Sequence, residues 1–177
     1  MKHTDDSHDS KKTAAYWIQG LNLEPHPEGG YYRESYRSSV RVDAFNRDAG
    51  VEGSRSVSTA IYYLLKGSDF SAFHRIRSDE MWHHYAGVGL MIHMIDNLGN
   101  YSSCRLASGL EEGASPQWLI PARTWFAATA EDPSGYSLVG CTVAPGFDFQ
   151  EFELARREPL LPRYPAHRSV IEAFTRA

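Results

Sequence analysis

Cysteine is scarce in this chain: Cys104 and Cys141 are the two among 177 residues. So few thiols exclude a disulfide framework and a cysteine-rich metal site, and they fit small buried hydrophobes in a cytoplasmic protein. Long apolar runs are missing too. Stretches such as Ala60–Leu65 fall far short of the roughly 20 residues that span a bilayer, so no membrane association is expected. Basic charge is not in excess: Lys plus Arg total 18 against 22 Asp plus Glu, a formal net charge of −4. That balance excludes a general nucleic-acid binder. The polar, acidic start MKHTDDSHDSKK resembles neither a secretory signal nor a transit peptide. No internal repeat or low-complexity tract interrupts the chain, and its length allows one domain at roughly 150 residues each.

What is present is aromatic and histidine-rich, with 12% aromatic residues and eight histidines. Residues 1–12 lack apolar periodicity and are expected to be a disordered tail holding His3 and His8, ahead of a single domain over 13–177. Lys12–Leu21 reads as a short helix closed by Gly20. The turn-rich segment Leu23–Gly30 follows, with His26 between two prolines, and leads into Tyr31–Arg37. Strands are then expected at Val57–Leu65, Phe70–Ile76, Met81–Tyr85, Gly87–Asp96, Tyr101–Leu106, Trp118–Pro121, Trp125–Thr129, Tyr136–Val143 and Phe147–Leu154. Glycine, proline and Asx turns separate them, so about nine or ten short strands without helical interludes imply an all-β sandwich or barrel. His167–Thr175 reads as a terminal helix.

Reactive side chains concentrate in Phe73–Gly87. Alternate residues of a strand share a face, so His74 and Ile76 point one way and Arg75 and Arg77 the other. Beyond the Ser78–Asp79 turn, Glu80, Trp82 and His84 share a face, opposite Met81, His83 and Tyr85. If the Glu80 face looks inward, a barrel interior gathers His74, Glu80 and His84, and a bulge would exchange His84 for His83.

Gly67, His74, Ile76, Glu80 and Gly87 resemble the first motif of the cupins, with three residues between Ile76 and Glu80 and six between Glu80 and Gly87. Pro121–Phe126 falls on the second motif, with Arg123 at its glycine position and Phe126 at its histidine position. The segments PHPEGGYYRES, STAIYYLL, FHR-x-x-SDE-x-WH and P-A-x-T-W-F are similar to the cupin group called DUF985 or cupin_5, over about Trp17 to Leu161. The resemblance implies a double-stranded β-helix, the jelly-roll barrel, with short helices near its two ends. It also implies a site with two of the four usual metal ligands, His74 and Glu80. Catalytic zinc or iron sites usually take three protein ligands, so a metal-free pocket is expected.

A metal-free branch, the dTDP-4-dehydrorhamnose 3,5-epimerases, is similar at Gly29–Tyr36 and in placing its catalytic histidine at the position of His74. Gly29 and Glu80 stand where that branch has an arginine and a lysine. The resemblance implies an epimerase- or isomerase-like enzyme acting on a small sugar-like or keto substrate. His74 would be the base and Glu80 its partner or second acid/base group, since removing and returning a proton beside a ketone needs both functions. Tyr32, Arg33, Glu34, Tyr63, Trp82, His84, His93, Arg123 and Trp125 are the expected substrate contacts, with Trp125 a wall and Arg33 and Arg123 suited to an anion. The alternatives are a metal-dependent dioxygenase or isomerase holding Fe, Zn, Ni or Mn through His74, Glu80 and His84, and a ligand-binding module without turnover. A homodimer is expected, with Tyr31–Tyr36 reaching toward the neighbouring sheet.

Overall fold

The structure, a computed structural model, describes residues 12–43 and 54–176. The tail expected over 1–12, with His3 and His8, lies outside them except for Lys12. The first elements are helix α1 (Ala14–Gly20) and strands β1 (Glu24–Pro25), β2 (Tyr31–Arg37), β3 (Arg41–Asp43), β4 (Ser54–Ser56) and β5 (Thr59–Lys66). Then come β6 (Phe70–Arg75), β7 (Asp79–Gly87), β8 (Leu90–Ile95), β9 (Tyr101–Leu106), β10 (Gln117–Ile120), β11 (Trp125–Ala130), β12 (Tyr136–Ala144) and β13 (Glu153–Leu154). Helices α2 (Arg157–Arg163) and α3 (Arg168–Ala173) complete the order.

Two antiparallel sheets face each other. One is six-stranded in the order β1-β2-β5-β12-β7-β10, the other five-stranded in the order β13-β6-β11-β8-β9, and β3 and β4 form a separate ribbon. This is the all-β, two-sheet arrangement expected from the strand pattern, in the jelly-roll form that the resemblance implies. Strand parity explains the packing. Leu90, Ile92, Met94, Phe126, Ala128, Val139 and Cys141 point inward and form the core between the sheets with Trp82 and Tyr63. The outward residues are apolar as well, because helices cover both outer faces. Phe73, Ile95, Trp125 and Ala127 pack under α2 and α3 through Leu160, Tyr164 and Ile171. Leu64 and Leu138 meet Trp17 and Ile18 of α1 and Leu21 just after it.

Two stretches depart from the sequence expectation. Phe147–Leu154 forms no continuous strand. Asp148 accepts a hydrogen bond from the Gln150 N–H and caps a 3₁₀ turn at Phe149–Glu151, leaving Glu153–Leu154 to pair with β6. Helix α2 forms despite Pro159 and Pro162. Pro159 stands in its first turn, where no intrahelical donor is needed. Arg157 bonds the carbonyl oxygens of Glu172 and Thr175, tying α2 to the α3 end of the chain. No helix among the described residues is long and apolar enough to cross a membrane.

Candidate functional site

The site is built from one loop and two inward-facing strands. Between β1 and β2, His26–Gly30 closes on itself: the Gly29 N–H donates to the His26 carbonyl at 3.0 Å, and the His26 N–H donates to the Gly30 carbonyl at 3.0 Å. Gly29 holds φ +120°, and a Cβ there would collide with the carbonyl oxygen of Phe70. Glycine is required at this turn. The result turns Glu28 into the barrel, where its carbonyl oxygen accepts from the Ala72 N–H at 2.9 Å and from Arg176 Nη2 at 3.1 Å.

The Glu28 carboxylate meets β6. Its Oε1 accepts from Ser71 Oγ at 2.9 Å, and its Oε2 lies 3.0 Å from His74 Nε2 and 3.4 Å from His26 Nδ1. The other nitrogen of His74, Nδ1, is 2.8 Å from the Ala72 carbonyl oxygen. A carbonyl only accepts, so Nδ1 carries a proton and Nε2 faces a carboxylate. Burial works against charge on His74, but the Glu28 carboxylate, its hydrogen bond and the more distant Glu80 outweigh it and raise the imidazole pKa. Burial works against Glu28 as well, and His74 outweighs it, holding the carboxyl below its ordinary range. His26 moves the other way, lowered by burial. These shifts favour an imidazolium–carboxylate pair at His74 and Glu28 and the neutral form of His26.

Glu80 completes the set from β7. It is buried, and loss of solvent raises its pKa to about 7, with Glu28 adding to the rise and His74 opposing it. Glu80 stands opposite Val143 of β12, and Trp82 opposite the buried thiol Cys141, which burial raises well above an ordinary thiol. Trp82, next inward on β7, buries its indole N–H beside Glu80, where it favours the carboxylate and opposes part of the rise. These groups line a cavity of about 150 Å³ together with Tyr32, Tyr63 and the ring cluster Phe147, Phe149 and Phe152. Glu24, Glu34 and Arg37 line it too, with Glu34 and Arg37 paired at 2.6 Å.

Of the residues expected from sequence, His74, Glu80, Tyr32, Glu34, Tyr63 and Trp82 line this cavity. Five do not. Arg33 alternates with Tyr32 and Glu34 on β2, so parity sends it to the outer face. His84 faces inward but lies four residues along β7 from Glu80, about 13 Å at the usual strand rise, beyond Trp82. There its Nε2 bonds the Val88 carbonyl at 3.0 Å. His93 faces outward, stacked on Phe174 at 4.7 Å with Nδ1 2.8 Å from the Tyr101 hydroxyl. Trp125 faces outward under Arg75, whose guanidinium is 4.4 Å from the ring centre. Arg123 occupies the turn before β11 and lines a neighbouring recess.

The residues present do not fit the cupin metal. Among the described residues no group of three or more His, Cys, Asp or Glu side chains is placed to hold an ion. The expected trio fails because His84 is too far along β7. Phe126, at the second-motif histidine position, instead packs its ring 4.0 Å from that of His74, and Ile76 is a wall of the cavity.

Sequence reasoning missed Glu28, whose carboxylate pairs with His74 at 3.0 Å. A loop has no period to betray an inward residue. The available signal was chemical: His26 and Glu28 flank Pro27, with Pro25 before them and two glycines after, a stiffened turn carrying two titratable groups.

A family model described as the cupin superfamily (DUF985) matches residues 15–155. A protein of Saccharomyces cerevisiae described as uncharacterised is 28% identical over 151 residues, covering 80% of this chain and 74% of that one. Among solved structures, a Shewanella oneidensis protein is 41% identical with a TM-score of 0.82, covering 93% of this chain and 98% of that one. A hypothetical protein from Leishmania major is 36% identical with a TM-score of 0.84, over 93% and 99% of the two chains. Oxalate decarboxylase from Bacillus subtilis matches at 14% identity and a TM-score of 0.54, over 87% of this chain and 37% of that one, a likeness of fold alone.

Proposed function

Because the chain belongs to the DUF985 family of the cupin superfamily, we propose that its barrel interior is a small-molecule site whose work is proton transfer. The reaction it fits is isomerisation or epimerisation beside a carbonyl of a small polar, sugar-like or keto substrate. The carrying observation is the set of three buried ionisable groups facing one cavity: Glu28 and His74 locked together, and Glu80 near them without a counter-charge of its own.

Glu80 is the group suited to move a proton. With its pKa near 7, both of its forms are populated at neutral pH, the condition for one residue to take a proton and return it. The roles are thus reversed from those expected on sequence. Both nitrogens of His74 are engaged, so it serves as a fixed positive charge held by Glu28. That charge favours the negative oxygen that develops when an α-proton leaves a ketone. The aromatic walls suit the C–H faces of a sugar-like substrate. The nucleotide-sugar epimerase likeness of Gly29–Tyr36 supports the class of chemistry and carries no nucleotide specificity.

The test is solvent-deuterium exchange into a panel of ketoses and 2-keto acids, followed by NMR. Exchange at the α-carbon is expected with the wild-type protein and is expected to fall at least about 100-fold in Glu80→Gln, the scale of general acid–base catalysis. Exchange at the buffer rate for every compound would overturn the proposal. The homodimer expected from sequence has a place available on β2. Its outer edge meets β1 only at Tyr31 and Tyr32, so Arg33–Arg37 present an unpaired edge among the described residues. Sedimentation velocity decides the oligomeric state.

A further inference from the structure

His26 lines the cavity beside the Glu28–His74 pair, and proton transfer by Glu80 gives it no part. Its backbone is fixed between Pro25 and Pro27 and by both hydrogen bonds of the turn, its N–H donating to the Gly30 carbonyl and its carbonyl accepting from the Gly29 N–H. The side chain is only 7% exposed. Four rings surround the imidazole: Tyr32 at 4.5 Å, Phe152 at 5.9 Å, Tyr63 at 6.0 Å and Phe149 at 6.3 Å between ring centres. Each of the four is itself a wall of the cavity.

The two nitrogens of His26 are in different company. Nδ1 turns back on its own loop, where the Glu28 backbone N–H donates to it at 3.4 Å. A nitrogen that accepts holds no proton, so in the neutral ring the proton sits on Nε2. Glu28 Oε2 is also 3.4 Å from Nδ1, but its hydrogen bond comes from His74 Nε2 at 3.0 Å. Burial lowers the His26 pKa and so favours the neutral ring. Nε2 has no hydrogen-bond partner among the described residues. The cavity is thus given an enclosed N–H donor whose hydrogen bond a ligand oxygen would complete.

Other donors along the cavity are committed. The Tyr63 hydroxyl donates to the Gly29 carbonyl at 2.8 Å, and Arg37 donates to Glu34 at 2.6 Å and to the Phe147 carbonyl at 3.1 Å. Both nitrogens of His74 are taken, so its charge acts on a substrate oxygen without a hydrogen bond of its own. We propose that His26 is a catalytic residue, whose Nε2–H hydrogen-bonds the carbonyl oxygen of the substrate while Glu80 works on the adjacent carbon. The catalytic part of this assignment rests on the proton-transfer reading; the donor itself does not. When the Glu80 carboxylate takes the α-proton, the C–H electron pair becomes the C=C bond of an enolate and the carbonyl π pair moves to oxygen. His26 holds that oxygen without giving up its own proton, and protonated Glu80 then returns the proton to carbon. A neutral imidazole is able to fill such an electrophilic role.

Long-range proton–nitrogen NMR of the wild-type protein reads the tautomer directly, and the proton is expected on Nε2 at neutral pH. Acetohydroxamate, a planar mimic of an enediolate, probes the donor. It is expected to shift the Nε2 resonance, and to bind at least about tenfold more weakly to His26→Phe, which keeps a ring and loses the donor. In the exchange assay His26→Phe is expected to lower kcat about 100-fold, the scale of one oxyanion donor removed. His26→Gln, whose amide N–H can take the place of Nε2–H, is expected to exchange at least about tenfold faster than His26→Phe, whereas a role in packing alone would favour the aromatic variant. A proton on Nδ1, an Nε2 resonance unmoved by acetohydroxamate, or exchange by His26→Phe within about twofold of wild type would overturn the assignment and leave Glu80 its role. The two wild-type readings hold whether or not the variants fold. No exchange by the wild type, with the Nε2 shift intact, would remove the reaction and leave the donor.

Discussion

Nε2 of His74 stands 3.0 Å from Oε2 of Glu28, and neither side chain is more than 5% exposed. Removing one partner of such a pair strands the other in a dry interior. Glu28→Gln is therefore expected to cost about 3 kcal/mol in urea denaturation and to drop the His74 pKa below the ordinary 6.5. An unmoved His74 titration in NMR would contradict the pairing.

The pair also sets a pH window. His74 has a raised pKa, so the stability it adds is whole below 6.5 and is lost as pH climbs through the raised value. Glu28 has a lowered pKa, so its contribution is whole above 4.5 and is lost as pH falls through the lowered value. The stability gap between wild type and Glu28→Gln is expected to be widest between pH 4.5 and 6.5 and to narrow on either side.

Glu80 carries the opposite sign. An acid raised from 4.5 to about 7 favours the protonated fold, so ionising it on the way to pH 8 costs about 3 kcal/mol. Wild-type stability is expected to fall between pH 5 and pH 8, and the fall is expected to shrink in Glu80→Gln. Parallel denaturation profiles for the two proteins would show that Glu80 ionises unhindered.

Gly29 is where backbone geometry reaches the site. Gly29→Ala forces an L-residue to φ +120° and sets its Cβ against the Phe70 carbonyl, at an expected cost of about 2 kcal/mol or more. Because the turn aims Glu28, the same substitution is expected to lower the His74 pKa, which a surface glycine change would leave alone.

Both thiols are buried, with Cys104 pushed up to about 12 and Cys141 raised further than an ordinary thiol. Ellman's reagent at pH 8 is expected to find no reactive thiol in the folded protein and two after unfolding. Prompt labelling of the native protein would place one of them at the surface.

The strands were legible where turn residues bracket short runs of β-forming residues, as in Tyr101–Leu106, which matches the structure at both ends. Inward placement of His74 and Glu80 followed from strand parity. Parity could not tell which of two apolar faces turns inward. Trp125 and His93 therefore looked like pocket residues but lie under the terminal helices. Phe147, Phe149 and Phe152 read as a strand because their spacing is close to two, while Asp148 instead caps a turn. Helix α2 was hidden by its prolines. Glu28 was hidden most deeply: a loop residue has no periodic neighbour, and only the closed barrel brings it to His74.

The Glu28 carbonyl is shared between the Ala72 N–H and Arg176, which follows α3. A residue that comes after all the strands thus fastens one that precedes most of them, and the fastening sits directly behind the buried charges. Trimming the chain after Phe174, or crowding that end with a bulky fusion, would therefore act as a remote change to the interior, loosening the acid before any barrel strand is touched.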